Sequence, residues 1–205
     1  MERKPISFLF VGLALGSILS SLAFVAVMRS KHDSIPHGAP QKTVLKLGHA
    51  LDQTHPVHTA MAYMAKRVAE LSQGSVEIQM FPNGQLGSEP ECVEQAQRGA
   101  LAITKVAAAA MEGFAPDMAV FGMPYLFRDE AHFWNVANGA VGREILRAGD
   151  SVGLHGLAYY DAGARSFYTV DRPVLTPGDL KESKIRVMSS KTARDLIVTL
   201  GAGAT

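Results

Sequence analysis

The chain has 205 residues, 47% of them hydrophobic and 19% charged, with a formal net charge of +1 and a single cysteine, Cys92. This length predicts one or two domains, and this composition excludes an intrinsically disordered chain. The near-neutral charge argues against a surface for nucleic acid or anionic membrane, and one cysteine excludes an intrachain disulfide.

Arg3 and Lys4 precede an apolar, uncharged run over residues 6–28, and Arg29, Lys31 and His32 follow it. A bilayer needs ~20 such residues, so the run reads as either a cleaved export signal or an uncleaved inner-membrane anchor. Ser17, Ser20, Ser21 and Ala23 offer only weak cleavage positions inside it. Either reading sends the remaining chain outside the inner membrane. Pro36, Gly38 and Pro40 mark residues 35–41 as a linker, which sets residues 1–42 apart from the folded part.

Residues 43–49 are predicted as a strand. Val57, Met61, Met64, Val68 and Leu71 recur every three or four residues, as on one face of a helix, and Gly74 stops it. Val76, Ile78 and Met80 alternate with Glu77 and Gln79 as in a half-buried strand, and Asn83-Gly84 marks a turn. Ser88 with Glu91 is a capping box that opens a second helix ending near Gly99. Residues 101–106 are predicted as a strand and 107–111 as a short helix; Pro116 then breaks the pattern. Asp129 caps a long helix containing Phe133, Trp134 and Val136, and another helix covers 142–148. Strands are predicted at 154–160, 166–170 and 185–188, and a helix at 190–200.

Strand and helix alternate with short connections, which predicts an α/β fold with a mostly parallel sheet covered by helices on both faces. Ligands of such sheets bind outside the carboxyl ends of the strands. His49 and His55 fall after the first strand, Glu89 after the second, and Arg165 after the 154–160 strand. A guanidinium at a strand end can hold a carboxylate with two parallel hydrogen bonds, so Arg165 and Arg186 suggest an organic-anion site. The competing reading makes both ordinary surface arginines.

Other chemistry finds less support. His55 and His58 stand three apart, a possible two-ligand metal spacing, with Asp52 as the only nearby third group. His55 at a helix start equally suits a hydrogen bond to a bound anion, or a structural role. No metal or other cofactor is expected. Cys92 lies mid-helix and reads as a small buried side chain. There is no Gly-x-Ser-x-Gly elbow and no Walker loop, and Glu89, Glu91 and Glu94 fit helix capping better than acid–base work. Tyr159, Tyr160, Phe167 and Tyr168 are not interleaved with a basic stripe, so single-stranded nucleic acid is not expected as a partner.

Several landmarks occur in a telling order: Leu47-Gly48-His49, Phe81-Pro82-Asn83-Gly84-Gln85-Leu86-Gly87-Ser88-Glu89, Gly99-Ala100-Leu101-Ala102-Ile103-Thr104, Phe121-Gly122-Met123-Pro124-Tyr125-Leu126-Phe127, the Arg165 segment, and residues 180–187. With these, residues 45–205 resemble the solute-binding proteins of TRAP transporters (tripartite ATP-independent periplasmic transporters), the DctP-like family. The resemblance implies a two-lobed periplasmic-binding-protein-like fold, with a first lobe at 43–160 and the start of a second at 161–205. Family members are longer, so a truncated chain with an incomplete second lobe is expected. Arg186 falls on the arginine that pairs with the ligand carboxylate, Arg165 on a supporting arginine, and Glu89 on an acidic position suited to sugar hydroxyls; His55 and His49 complete the expected site. Ala107 stands where some members carry an acid, which weakens transfer of a specific ligand such as a sialic acid. The implied role is non-enzymatic: a periplasmic, monomeric protein that captures a C4-dicarboxylate, uronate or similar sugar acid and delivers it to the permease subunits. A membrane-anchored enzyme or sensor domain on the same scaffold is the alternative.

Overall fold

Thr43–His49 forms β1, the central strand of a three-stranded parallel sheet of order β2–β1–β3, with β2 at Val76–Phe81 and β3 at Ile103–Lys105. The protein is described by a computed structural model over residues 42–161, 163–170 and 172–205. The 6–28 run and the 35–41 linker lie outside the described residues. Among those described, no helix is long and apolar enough to cross a membrane.

Successive side chains of β1 point to opposite faces, and each face has its own helix. Leu47 is fully buried in a cluster with Ile78 of β2 and with Val57 and Met61 of α1 (Pro56–Leu71). Met64 and Val68 of α1 extend this contact. Leu71, which the spacing assigns to the same face, is 74% exposed. It is the last helical residue, and Ser72 already turns the chain towards β2. Gly48 faces the other way, against Leu86, Leu101 and Cys92, so α2 (Glu89–Gln97) covers the opposite face.

The turn between β2 and α2 ties both to the end of β1. Asn83 and Gly84 both have positive φ (56° and 68°), as the two central positions of a type I′ turn require. Their amides donate to the carbonyls of Leu51 and His49 at 2.9 and 3.0 Å. Glu91 Oε2 then accepts from Ser88 N–H at 2.7 Å and from Ser88 Oγ at 2.8 Å, so the carboxylate half of the expected box forms and α2 starts where the sequence places it.

A second cluster joins Ala115, Met118 and Ile145, with Met111 and Phe121 packed against them, from α3 (Ala108–Met111), a 3-10 turn (Pro116–Gly122) and α5 (Ala140–Leu146), while α4 (Glu130–Ala137) precedes α5 in the chain. Phe121 packs among Phe127, Phe133 and Tyr159, with ring centroids 5.1–6.2 Å apart. A third cluster, Leu180, Ile197 and Ala202, holds β4 (Lys184–Ile185), α6 (Lys191–Thr199) and β5 (Gly203–Ala204), with β4 and β5 paired in parallel.

Several expected strands change. β3 is three residues long, and β4 covers two residues instead of 185–188. The 154–160 segment is not a strand; Gly156 N–H donates to Leu146 O and Tyr159 Oη–H to Gly142 O, so its ties run to α5 and not to a ladder. The 166–170 segment is exposed throughout and forms no strand. Apolar and aromatic residues supply strand propensity, but a strand needs a neighbour to satisfy its backbone, and among the described residues neither segment has one. The helix that Asp129 caps has eight residues and is not long.

Candidate ligand-binding site

In a sheet of order β2–β1–β3 the chain runs from β1 to β2 and then crosses back to β3 on the other side of β1, and ligands of such sheets bind where the strand order reverses, at the carboxyl ends of β1 and β3. His49 and Lys105 are partners in register at those ends. His49 is 1% exposed. Its Nδ1 accepts from Leu51 N–H at 3.2 Å, so the ring proton of the neutral form sits on Nε2, which faces His58 Nδ1 at 3.1 Å. His49 therefore donates to His58. Burial, followed by the neighbouring His58, Lys105 and His55, holds the His49 pKa below its ordinary value, so the ring is neutral at pH 7.

His55 is the N-cap of α1: its Nδ1 accepts from Val57 N–H at 3.1 Å, an acceptor role that Ser or Asp more often fills. The same logic puts its ring proton on Nε2. His55 and His58 do not form the metal pair that their spacing allows, since one caps the helix and the other bonds His49. Among the described residues no three His, Cys, Asp or Glu side chains are placed to hold a metal.

Glu89, in the first turn of α2, reaches across to the end of β3. Its Oε1 accepts from Ala107 N–H at 3.1 Å and lies 3.7 Å from Lys105 Nζ. Ala107 opens α3 without a side-chain acceptor of its own, and Glu89 supplies one. Both partners of the Glu89–Lys105 pair are largely shielded, with side chains 23% and 16% exposed, so the pair is less screened than a surface one. Oε2 of Glu89 has no partner among the described residues. Behind it, burial pushes the Cys92 thiol up in pKa, which suits packing and not nucleophilic attack.

His49, His55 and Glu89 thus meet at one edge of the sheet, joined by His58 and Lys105, which sequence reasoning did not select as site residues. The His55/His58 spacing was visible, but a partner for His58 nine residues earlier was not; Lys105 could have been found from its place at the end of the third strand. Arg165 lies in an exposed stretch without secondary structure, and Arg186 is exposed one residue after β4. Among the described residues no ion pair involves either guanidinium, and no hydrogen bond joins either to His49, His55 or Glu89.

A doubly wound parallel sheet with charged and hydrogen-bonding groups gathered at its carboxyl edge defines a ligand-binding α/β protein. The chain belongs to the bacterial extracellular solute-binding proteins of family 7 (DctP), which match it over residues 47–205. It is 37% identical over 194 residues to the uncharacterized protein YiiZ of Salmonella typhimurium, an alignment covering 94% of this chain and 55% of that protein. The fold is that of a TRAP periplasmic solute-binding protein from Bradyrhizobium sp. BTAi1 in complex with α/β-D-galacturonate, with a TM-score of 0.76 and 40% identity over 78% of this chain and 54% of that one. A TRAP periplasmic solute-binding protein from Sulfurospirillum deleyianum with bound succinate gives a TM-score of 0.76 at 30% identity, over 80% and 53% of the two chains. The chain spans about half the length of the curated relatives it matches. Proteins of this family are solute-binding proteins and not enzymes.

Proposed function

We propose that this chain captures a small organic acid outside the cytoplasm and passes it to the membrane permease of a TRAP transporter. Residues 6–28 direct export and leave the binding part in the periplasm. Residues 43–160 serve as the first lobe and 161–205 as the beginning of the second, with the ligand held between them by hinge closure. Arg186 is the carboxylate anchor, its planar fork giving two parallel hydrogen bonds, and Arg165 supports the same anion. On the facing side Glu89 Oε2 accepts from ligand hydroxyls, His55 donates to the ligand from Nε2, and His49 orients His58 from behind.

The observation that carries this reading is the gathering of His49, His58, Glu89 and Lys105 at the carboxyl edge, in a chain 40% identical to a galacturonate-bound protein. Hydrogen-bonding groups of this kind suit a polyhydroxylated acid better than a plain dicarboxylate. The test is thermal unfolding and calorimetry of a full-length version of the protein with D-galacturonate, succinate and neutral D-galactose. A ligand at 100 times its Kd adds about 2.7 kcal/mol of stability, a readable shift. Galacturonate is expected to stabilise the protein and galactose to have little effect, because an unpaired guanidinium in a closed cleft is costly. Arg186→Lys keeps the charge and loses the fork, so affinity should fall by about tenfold or more, or about 1.4 kcal/mol. Equal binding of galactose, or unchanged affinity in Arg186→Lys, refutes the reading.

A further inference from the structure

None of the three hydrophobic clusters of described residues joins residues 174–205, which hold β4, α6 and β5, to the preceding part of the protein. A polar contact does. Glu112, just after α3, reaches the start of α6, 78 to 80 residues further along the chain. Ser190 Oγ–H donates to Glu112 Oε2 at 2.5 Å, and Thr192 donates to Oε1 through N–H at 3.0 Å and Oγ1–H at 2.9 Å. Ser190 is the buried N-cap of α6, and its oxygen also accepts from Ala193 N–H, so the Glu112 bond uses the hydroxyl proton that capping leaves over. Beside this contact the Thr192 side chain packs on Gly122 of the 3-10 turn. The charges facing Glu112 are favourable on balance: Lys191 attracts it, although Lys191 also pairs with Asp195 and has Arg194 nearby. The Ser190 bond and then the Thr192 bonds outweigh partial desolvation and hold the Glu112 carboxyl below its ordinary pKa. It is charged at neutral pH, next to the positive end of a helix.

We propose that Glu112 is a positioning residue, a carboxylate latch that sets where the Arg186-bearing β4–α6–β5 part stands relative to the sheet edge holding His49 and Glu89. Arg186 precedes Ser190 by four residues, and β4 is tied to the chain beyond α6 by the bond from Thr205 N–H to Ile185 O at 2.9 Å. Whatever fixes the start of α6 therefore fixes Arg186. Three hydrogen bonds to one carboxylate form a joint that can open and re-form without exposing an apolar core. The consequence for ligand affinity rests on the reading of Arg186 as anion anchor; the positional consequence does not.

The experiment places spin labels in the full chain at two exposed sites, Lys66→Cys in α1 and Val198→Cys in α6, and measures their distance distribution by pulsed electron resonance. Cys92 is 2% exposed and stays unlabelled. With Glu112 present the distribution should be narrow. In Glu112→Ala it should broaden while far-UV helix content is unchanged, and calorimetric affinity for D-galacturonate should fall at least tenfold. Thr192→Val, which keeps the backbone bond and removes one donor, should give an intermediate width, and it decides the matter by the same criterion if Glu112→Ala does not fold. Superimposable distributions overturn the latch, and a broadened distribution with full galacturonate affinity overturns its consequence for the ligand and with it the reading of Arg186 as the anion anchor. If neither protein binds galacturonate but the distances respond as expected, the latch stands and the proposed function fails.

Discussion

Both ring nitrogens of His49 are engaged inside the protein, one accepting from Leu51 and one donating to His58, and this single buried side chain organises the end of β1. Replacing it by Ala would leave the Leu51 amide and the His58 acceptor without partners, at an expected cost of about 1–3 kcal/mol in a urea unfolding curve. Its titration gives a separate signature. The unfolded chain takes up a proton at His49 near the ordinary value of 6.5, whereas the folded protein resists doing so until a lower pH. The unfolded state therefore binds more protons in that window, and stability should be level above about pH 6.5 and decline as pH falls through it. In His49→Gln this part of the decline should disappear. An unchanged pH profile in the variant would show that the ring is not held neutral. The arginines are the opposite case: both are exposed and outside any ion pair among the described residues.

At the scale of elements, capping and close approach carry different weights. Asp129 caps α4 by accepting from His132 N–H at 2.7 Å, on the surface. Asp129→Ala should cost about 0.5–2 kcal/mol. Gly142 lies where α5 turns back on α4: a Cβ built there would stand 1.9 Å from Ala137 O, a backbone atom that cannot swing aside. Its own carbonyl accepts the Tyr159 hydroxyl, so displacing α5 also disturbs the 154–160 segment. Gly142→Ala should therefore cost about 1–3 kcal/mol or more, and exceed the loss from Asp129→Ala. Thermal unfolding of the two variants compares them directly, at about 2–4 °C per kcal/mol for a chain of this size. Equal melting temperatures would mean that α5 can shift at little cost.

Over the whole molecule, order should be graded. β1 is paired on both sides and its Leu47 is fully buried, whereas β4 and β5 pair over two residues each around a smaller core. Local opening draws on the parts with fewest buried contacts. Native-state hydrogen exchange should therefore find the amides of Leu45 and Leu47 protected at least about tenfold more than those of Gly203 and Thr205, a difference of about 1.4 kcal/mol in opening free energy. Equal protection would mean that all three clusters unfold as one unit.

Elements that satisfy themselves locally were legible in the sequence. The α1 face at Val57, Met61, Met64 and Val68, the Asn83-Gly84 turn and the Ser88/Glu91 start of α2 all lie where pattern and capping put them, because a helix or a tight turn closes its hydrogen bonds within about four residues. The parallel sheet followed from the alternation of such elements, and the family from the order of its short landmarks. His49, His55 and Glu89 were legible as a group, since the carboxyl ends of parallel strands share one edge whatever their separation in sequence. Other features depend on partners that no local pattern names. The apolar and aromatic residues at 154–160 and 166–170 did not make strands because none lies beside them among the described residues, while Gly203–Ala204, with almost no pattern, became one by lying beside β4. His58 found His49 across a strand-to-helix turn, Lys105 found Glu89, and Glu112 found Ser190 and Thr192 some eighty residues away. Local sequence determined what each segment could be; the tertiary structure decided which groups meet, because a backbone or side-chain polar group taken from water must find its partner wherever the fold brings one.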